Sequence, residues 1–235
     1  MDDLQSEKEQ IEEMKAWWVE YRLYIISGVV IAVAGLVGFN HLQSTKLAAQ
    51  IEASVLFEEL AEHVFAGDLE DAEAVADDLA SSYANTPYAA QSRLAMSRLY
   101  MDKNRDQDAA DALNELLAMR GNRVLKHVAR TRLARVYLYQ DKAQEVIDLL
   151  ADRDDESFAG LYAELRGDAY AALGQIEQAG EAYRSALADQ SQTVNRGIVQ
   201  MKLVDLPDVD SLAAQADAAE PAVEPTMDDE AGVAE

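Results

Sequence analysis

Apolar positions fall into two regimes along the chain. From Leu23 to Phe39 the sequence LYIISGVVIAVAGLVGF has no ionisable side chain apart from Tyr24, and Arg22 and Asn40 bound it. Beyond it, apolar residues recur at three- and four-residue spacing among polar ones, and no segment of length alternates apolar with polar as a half-buried strand does. The pattern predicts an all-α chain: one apolar helix near the N-terminus, then a series of amphipathic helices. Abundant Ala and Leu and only four prolines agree with that. The 235 residues suffice for one helical domain with accessory segments.

The amphipathic part repeats. Residues 164–187 read ELRGDAYAALGQIEQAGEAYRSAL, a helix, a turn at Gly174 and a second helix. Counted from Gly160 as the first position of a 34-residue unit, Gly167 falls at position 8, Tyr170 at 11, Ala179 at 20, Tyr183 at 24 and Ala186 at 27. Small residues at 8 and 20 let two helices cross closely, and the aromatic residues at 11 and 24 fill the space beside the crossing. This is the tetratricopeptide (TPR) pattern. Tyr100, Tyr137 and Tyr170 mark its period at 37 and 33 residues. Around Tyr100, Ser97 and Ala109 take the small positions and Leu113 the packing position. A further unit begins near Leu56, with Val75, Leu79 and Pro87 expected at positions 20, 24 and 32. The expectation is a TPR-like α-solenoid of about four helical pairs over residues 42–204, closed by a terminal helix near Thr193 to Val204.

The apolar segment is long enough to cross a bilayer. Seventeen residues at ~1.5 Å each give about 25 Å, and uncharged Asn40 to Thr45 can complete the crossing. Trp17, Trp18 and Tyr21 precede it, where an interfacial aromatic belt belongs. A cleaved signal peptide competes with this reading, since Ala32-Val33-Ala34 resembles a cleavage site. That site lies inside the apolar run, and the first 22 residues hold seven acids and three bases, unlike a short basic leader. Residues 23–41 therefore read as a single transmembrane signal-anchor helix. Lys8, Lys15 and Arg22 precede the span and Lys46 is the only base between it and Arg93, which orients the N-terminus toward the cytoplasm and, in a bacterium, the repeats toward the periplasm. Within the span Gly28, Ala32 and Gly35 share one helical face at i, i+4 and i+7, and Ala34 with Gly38 repeats the spacing on another. Such a face admits another membrane helix closely, and Gly28, Ala32 and Gly35 are the candidate partner contacts in lipid.

The formal net charge of −24 is unevenly distributed. Residues 1–22 form an acidic arm. From Asp205 onward there are ten acids, no lysine or arginine and three of the four prolines, so residues 205–235 are expected to be a disordered acidic tail. Eleven of the twenty lysines and arginines lie between Arg93 and Lys142. Arg98 and Arg135 take position 9 of their units, which usually faces the concave TPR groove, so an acidic or extended peptide is a candidate occupant. The alternative is that these arginines pair with Asp102, Asp106, Asp108 and Glu115 on solvated helix faces. So acidic a chain does not suit nucleic acid.

Catalytic chemistry has little to stand on. His41, His63 and His127 are scattered, the absence of cysteine removes thiolate zinc sites, and no phosphate-binding glycine loop or GxSxG turn occurs. Asp152, Arg153, Asp154, Asp155 and Glu156 lack the glycine and spacing of a calcium loop and read as an inter-helix turn. The expectation is a non-enzymatic protein without cofactor or metal.

The layout as a whole, with the acidic arm EKEQIEEMKAWWVEYR, the glycine-containing anchor and a body beginning AAQIEASVLFEEL, resembles the YfgM family of ancillary SecYEG translocon subunits over about residues 5 to 204. The resemblance implies a bacterial inner-membrane protein with a periplasmic TPR-like domain. It implies as partners the SecYEG translocon, a PpiD-like periplasmic chaperone and nascent secretory proteins. The acidic tail departs from the family. Two other readings stay open: a membrane tether whose arm sequesters a cytoplasmic regulator, and a general envelope assembly scaffold.

Overall fold

The computed structural model describes residues 3–151, 157–191 and 193–207. Among them the chain is all-helical, in nine helices: α1 (Asp3–Ala66), α2 (Leu69–Ser82), α3 (Pro87–Asp102), α4 (Asp106–Ala118), α5 (Arg123–Tyr139), α6 (Ala143–Leu150), α7 (Ala159–Ala172), α8 (Ile176–Ala188) and α9 (Arg196–Val204). These are the four expected pairs and the terminal helix. The Asp152–Glu156 turn and the tail beyond Pro207 lie outside the described residues.

The pairs share one turn. The backbone N–H groups of Asp68, Arg105, Lys142 and Gln175 donate to the carbonyls of His63, Tyr100, Tyr137 and Tyr170, at 2.9, 2.8, 2.8 and 2.8 Å. The residue between, Gly67, Asn104, Asp141 or Gly174, has φ of 77, 58, 58 or 71°. Each first helix thus ends in a left-handed residue that reverses the chain and satisfies a terminal carbonyl, a conformation open to Gly, Asn and Asp and strained for bulkier residues. The marker tyrosines are the carbonyl acceptors of that turn. Four residues beyond each donor, Ala72, Ala109, Val146 and Ala179 are fully buried, and one helical turn later Ala76, Leu113, Leu150 and Tyr183 are buried as well.

This sets the register of the first unit three residues earlier than expected. Ala72, Ala76 and Leu79 take positions 20, 24 and 27, whereas Val75 is half-buried and Pro87 is exposed as the first residue of α3. Val75 and Leu79 have the same four-residue spacing as Ala72 and Ala76, so the apolar pattern alone fits either register. Proline suits a helix start because its missing N–H has no partner there anyway.

The chain divides into two compact units, Met1–Ser92 and Arg93–Glu235. In the first, α1 packs on α2. Ala53 and Leu60 of α1 are buried, as are Ala72, Ala76 and Leu79 of α2. Phe57 meets Tyr88 at 5.7 Å between ring centroids, and the Tyr83 hydroxyl donates to Glu52 Oε2 at 3.1 Å. Helix α1 runs without a break through the expected boundaries at 22/23 and 41/42. No glycine or proline occurs between Gly38 and Gly67, so nothing ends the helix once the apolar stretch is past. At ~1.5 Å per residue, α1 is a rod of about 95 Å that joins the apolar stretch to the first repeat.

In the second unit each helix from α4 to α9 packs on the next. Ala134, Val146, Leu150, Tyr162 and Leu165 form one buried cluster of α5, α6 and α7, and Ala163, Ala179, Tyr183, Ala186 and Val199 form the next, of α7, α8 and α9. The α7–α8 crossing is close at Gly167, where an added Cβ would stand 2.5 Å from Cδ1 and Cε1 of Tyr183. His127 is used in packing: its ring stacks on Phe158 at 4.7 Å and its Nδ1 hydrogen-bonds with the Tyr162 hydroxyl at 2.6 Å.

Candidate functional site

Two surfaces collect the residues singled out from the sequence. The first is the apolar stretch of α1. Leu23, Ile31, Leu36, Val37 and Phe39 are all exposed, so this part of the helix is covered by nothing in the described chain and has the length and composition to cross a membrane. Gly28, Ala32 and Gly35 are exposed, and a Cβ added at either glycine meets no atom within 4 Å. One face of the helix is therefore shallow and open. Upstream, Trp17 and Tyr21 pair at 5.5 Å between ring centroids, one turn apart.

The second surface lies in the second unit. Arg98 of α3 and Arg135 of α5 come together, as their shared repeat position predicts, lining a groove of about 440 Å³. Its floor is apolar, with Met101, Val136 and Tyr139. The groove also holds Arg132, which the sequence reading missed. It stands one helical turn before Arg135, so the i, i+3 spacing was the available signal. Arg132 Nη1 donates to the Leu94 carbonyl at 2.8 Å, fixing it against α3. Burial, and then the positive charges of Arg98 and Arg135, pull the Arg132 guanidinium below its ordinary value. Three like charges converge there, an arrangement that an anion would relieve.

The pairing expected on solvated faces is present in part. Arg93 meets Glu115 at 2.8 Å and Arg105 meets Asp108 at 2.6 Å. Asp106 instead accepts from Gln140 Nε2 at 2.6 Å. Arg98 reaches Asp102 only at 3.9 Å, with 78% and 66% of the two side chains exposed, a pair worth no more than ~0.5 kcal/mol. Asp168, which occupies the equivalent of position 9 on α7, is engaged by α8 of its own repeat pair and by the terminal helix α9. It accepts from Lys202 Nζ and from the Tyr183 hydroxyl, each at 2.8 Å, and Glu164 takes a second bond from Lys202 at 2.8 Å. Burial pushes the Lys202 ammonium down, and the bonds to Asp168 and Glu164 more than offset it, leaving it above the ordinary lysine value. These acids of α7 thus hold α8 and α9 in place.

Comparison with known proteins agrees with the repeats and the layout. Over 206 residues the chain is 27% identical to the ancillary SecYEG translocon subunit of Escherichia coli K12, covering 88% of this chain and 99% of that protein. The proteins of the same name from Aggregatibacter actinomycetemcomitans and Neisseria gonorrhoeae are 25% and 26% identical over 204 and 203 residues, covering 86% of this chain and 98% and 97% of theirs. The resemblance first drawn from the N-terminal phrasing thus extends along most of the chain. Among solved structures, a crystal structure of nearly identical TPR-like repeats of a kinesin light chain from Podosopora anserina superposes with a TM-score of 0.50 at 20% identity, covering 71% of this chain and 90% of that one. The family model for the tetratricopeptide repeat-like domain matches residues 15–208. With four turns of one geometry, small residues at the close crossings and a family match over most of its length, the chain belongs to the tetratricopeptide repeat-like domain family.

Proposed function

We propose that this protein is a non-enzymatic accessory subunit of the SecYEG translocon. The observation that carries the reading is its correspondence over nearly the whole length of proteins named ancillary SecYEG translocon subunit. In this reading α1 crosses the inner membrane once, with residues 1–22 in the cytoplasm and the repeats in the periplasm. Gly28, Ala32 and Gly35 form the face that lies against membrane helices of the channel. Arg98 and Arg135 line the face that receives a partner segment, from a PpiD-like chaperone or from a newly translocated protein.

The continuous α1 gives this arrangement its mechanics. A helix without a hinge keeps the first repeat at a fixed height above the bilayer, and tethering at the channel exit raises the local concentration of the docking surface without tight intrinsic affinity. The repeat fold offers extended surfaces for protein contact, in keeping with a scaffold role.

The test is the triple substitution Gly28→Leu, Ala32→Leu and Gly35→Leu in the full chain. Leucine keeps the span apolar, so membrane integration should be unchanged. Filling the shallow face should reduce co-recovery of channel subunits about tenfold, corresponding to roughly 1.4 kcal/mol of lost helix packing. Unchanged recovery would rule out this face as the contact.

A further inference from the structure

We infer that the arginine groove of the second unit is a docking site for this chain's own acidic C-terminal segment, which competes there with partner segments. This rests on reading the groove as the docking face of the repeats.

The groove has two chemical demands. Arg98, Arg132 and Arg135 require acids, and the apolar floor at Met101, Val136 and Tyr139 requires a neighbouring apolar side chain. The described body meets the first demand only in part: one acid, Asp102, lines the groove beside three arginines and stands 3.9 Å from Arg98, and Asp168 on α7 is held by Lys202 and Tyr183. Burial first, and then the positive charges of Arg98 and Arg135, hold the Arg132 guanidinium below its ordinary value.

Residues 208–235 hold nine acids and no lysine or arginine, and lie at and beyond the end of the family domain at residue 208. Their stretch VEPTMDDE, from Val223 to Glu230, sets Met227 directly before Asp228, Asp229 and Glu230. That order matches the groove, with a methionine for the apolar floor and three consecutive acids for three arginines. Methionine adapts its shape to an irregular apolar surface, and arginine prefers carboxylate partners that it can fork. Reach is adequate. The helices from α5 to α9 are each about 10 Å across, so the groove lies within ~40 Å of the end of α9, while the stretch from Pro207 to Asp228 can span up to ~70 Å.

Covalent connection makes the docking intramolecular, which raises its effective concentration without any new contact. Weak pairing then suffices to keep the groove occupied at low ionic strength, and a partner segment must displace it. The tail would thus set a threshold for partner binding and keep the arginines from nonspecific acidic ligands.

The chain has no cysteine, so two introduced cysteines carry spin labels without ambiguity. Labels at Lys103→Cys, exposed beside the groove, and Ala231→Cys, beside the acidic run, report the distance by pulsed electron resonance on the full chain in detergent, diluted with unlabelled protein. The expected result is a narrow short-distance population at low salt. It should be lost at 1 M salt, where the screening length falls to about 3 Å, and lost at low salt in the Arg98→Glu, Arg135→Glu variant. Both arginines are exposed, so the variant should keep its helical signal and melting profile. A broad distribution identical in the parent and the reversed variant would overturn the inference, as would a short distance seen only when two singly labelled chains are mixed. The measurement contains no partner, so tail docking and translocon association stand or fall separately.

Discussion

Substitution of Gly167→Val should lower the stability of the repeat domain by about 3 kcal/mol, read as a fall in the urea midpoint at unchanged slope. Its Cβ would stand 2.5 Å from the Tyr183 ring, within the range no packed carbon tolerates. The ring has little freedom to retreat, because its hydroxyl is bonded to Asp168, which is held in turn by Lys202. Displacing Tyr183 would therefore disturb the α8 and α9 contacts together. Valine is a better helix former than glycine by no more than ~1 kcal/mol, so propensity does not reverse the sign. Tyr183→Ala alone should also be destabilising through the cavity it leaves, by ~3 kcal/mol or more. The double variant should cost clearly less than the sum, since the valine then enters that space. Additive penalties would show that the close crossing is not the source of the effect.

The second large effect concerns the membrane. Val30→Arg combined with Ala34→Arg places two charges near the middle of the apolar stretch of α1. Each arginine costs about 2.5–3.5 kcal/mol at the centre of a membrane helix. Together they shift the insertion equilibrium by about ten-thousandfold or more. The variant should move out of the carbonate-resistant membrane fraction. Val55→Arg is the control, an equally exposed position of the same helix that lies beyond the apolar stretch, and it should stay integrated. Retention of the double variant would mean that residues 23–41 do not anchor the chain.

How far the structure was legible in the sequence varies with position, for physical reasons. The α7–α8 pair was read residue by residue because its close crossing demands Gly167 and its turn demands Gly174, two requirements that few other residues meet. The first unit was read three residues out of register. Its first helix carries His63 in place of a marker tyrosine, and its apolar spacing fits two alignments. Gly67, the left-handed residue, was the firmer guide there.

Continuity of α1 was hidden by a change in composition. At residue 42 the side chains change from lipid-compatible to soluble, and that change looks like a domain boundary. The hydrogen-bond ladder of a helix does not depend on the character of its outward side chains, so it runs on to Ala66. The groove was legible in Arg98 and Arg135 because repeat position fixes direction. Arg132 escaped because it lies outside the position usually assigned to the concave face, and its role emerged only from its bond to Leu94 and the two arginines beside it.

Association with the translocation channel is tested most directly by affinity purification of the tagged full-length protein from membranes in mild detergent, with mass spectrometry of the co-purifying proteins. Recovery of the SecYEG subunits together with a membrane-anchored periplasmic chaperone is the predicted result. Recovery of a cytoplasmic regulator without any channel subunit would contradict it and move the functional site to residues 1–22.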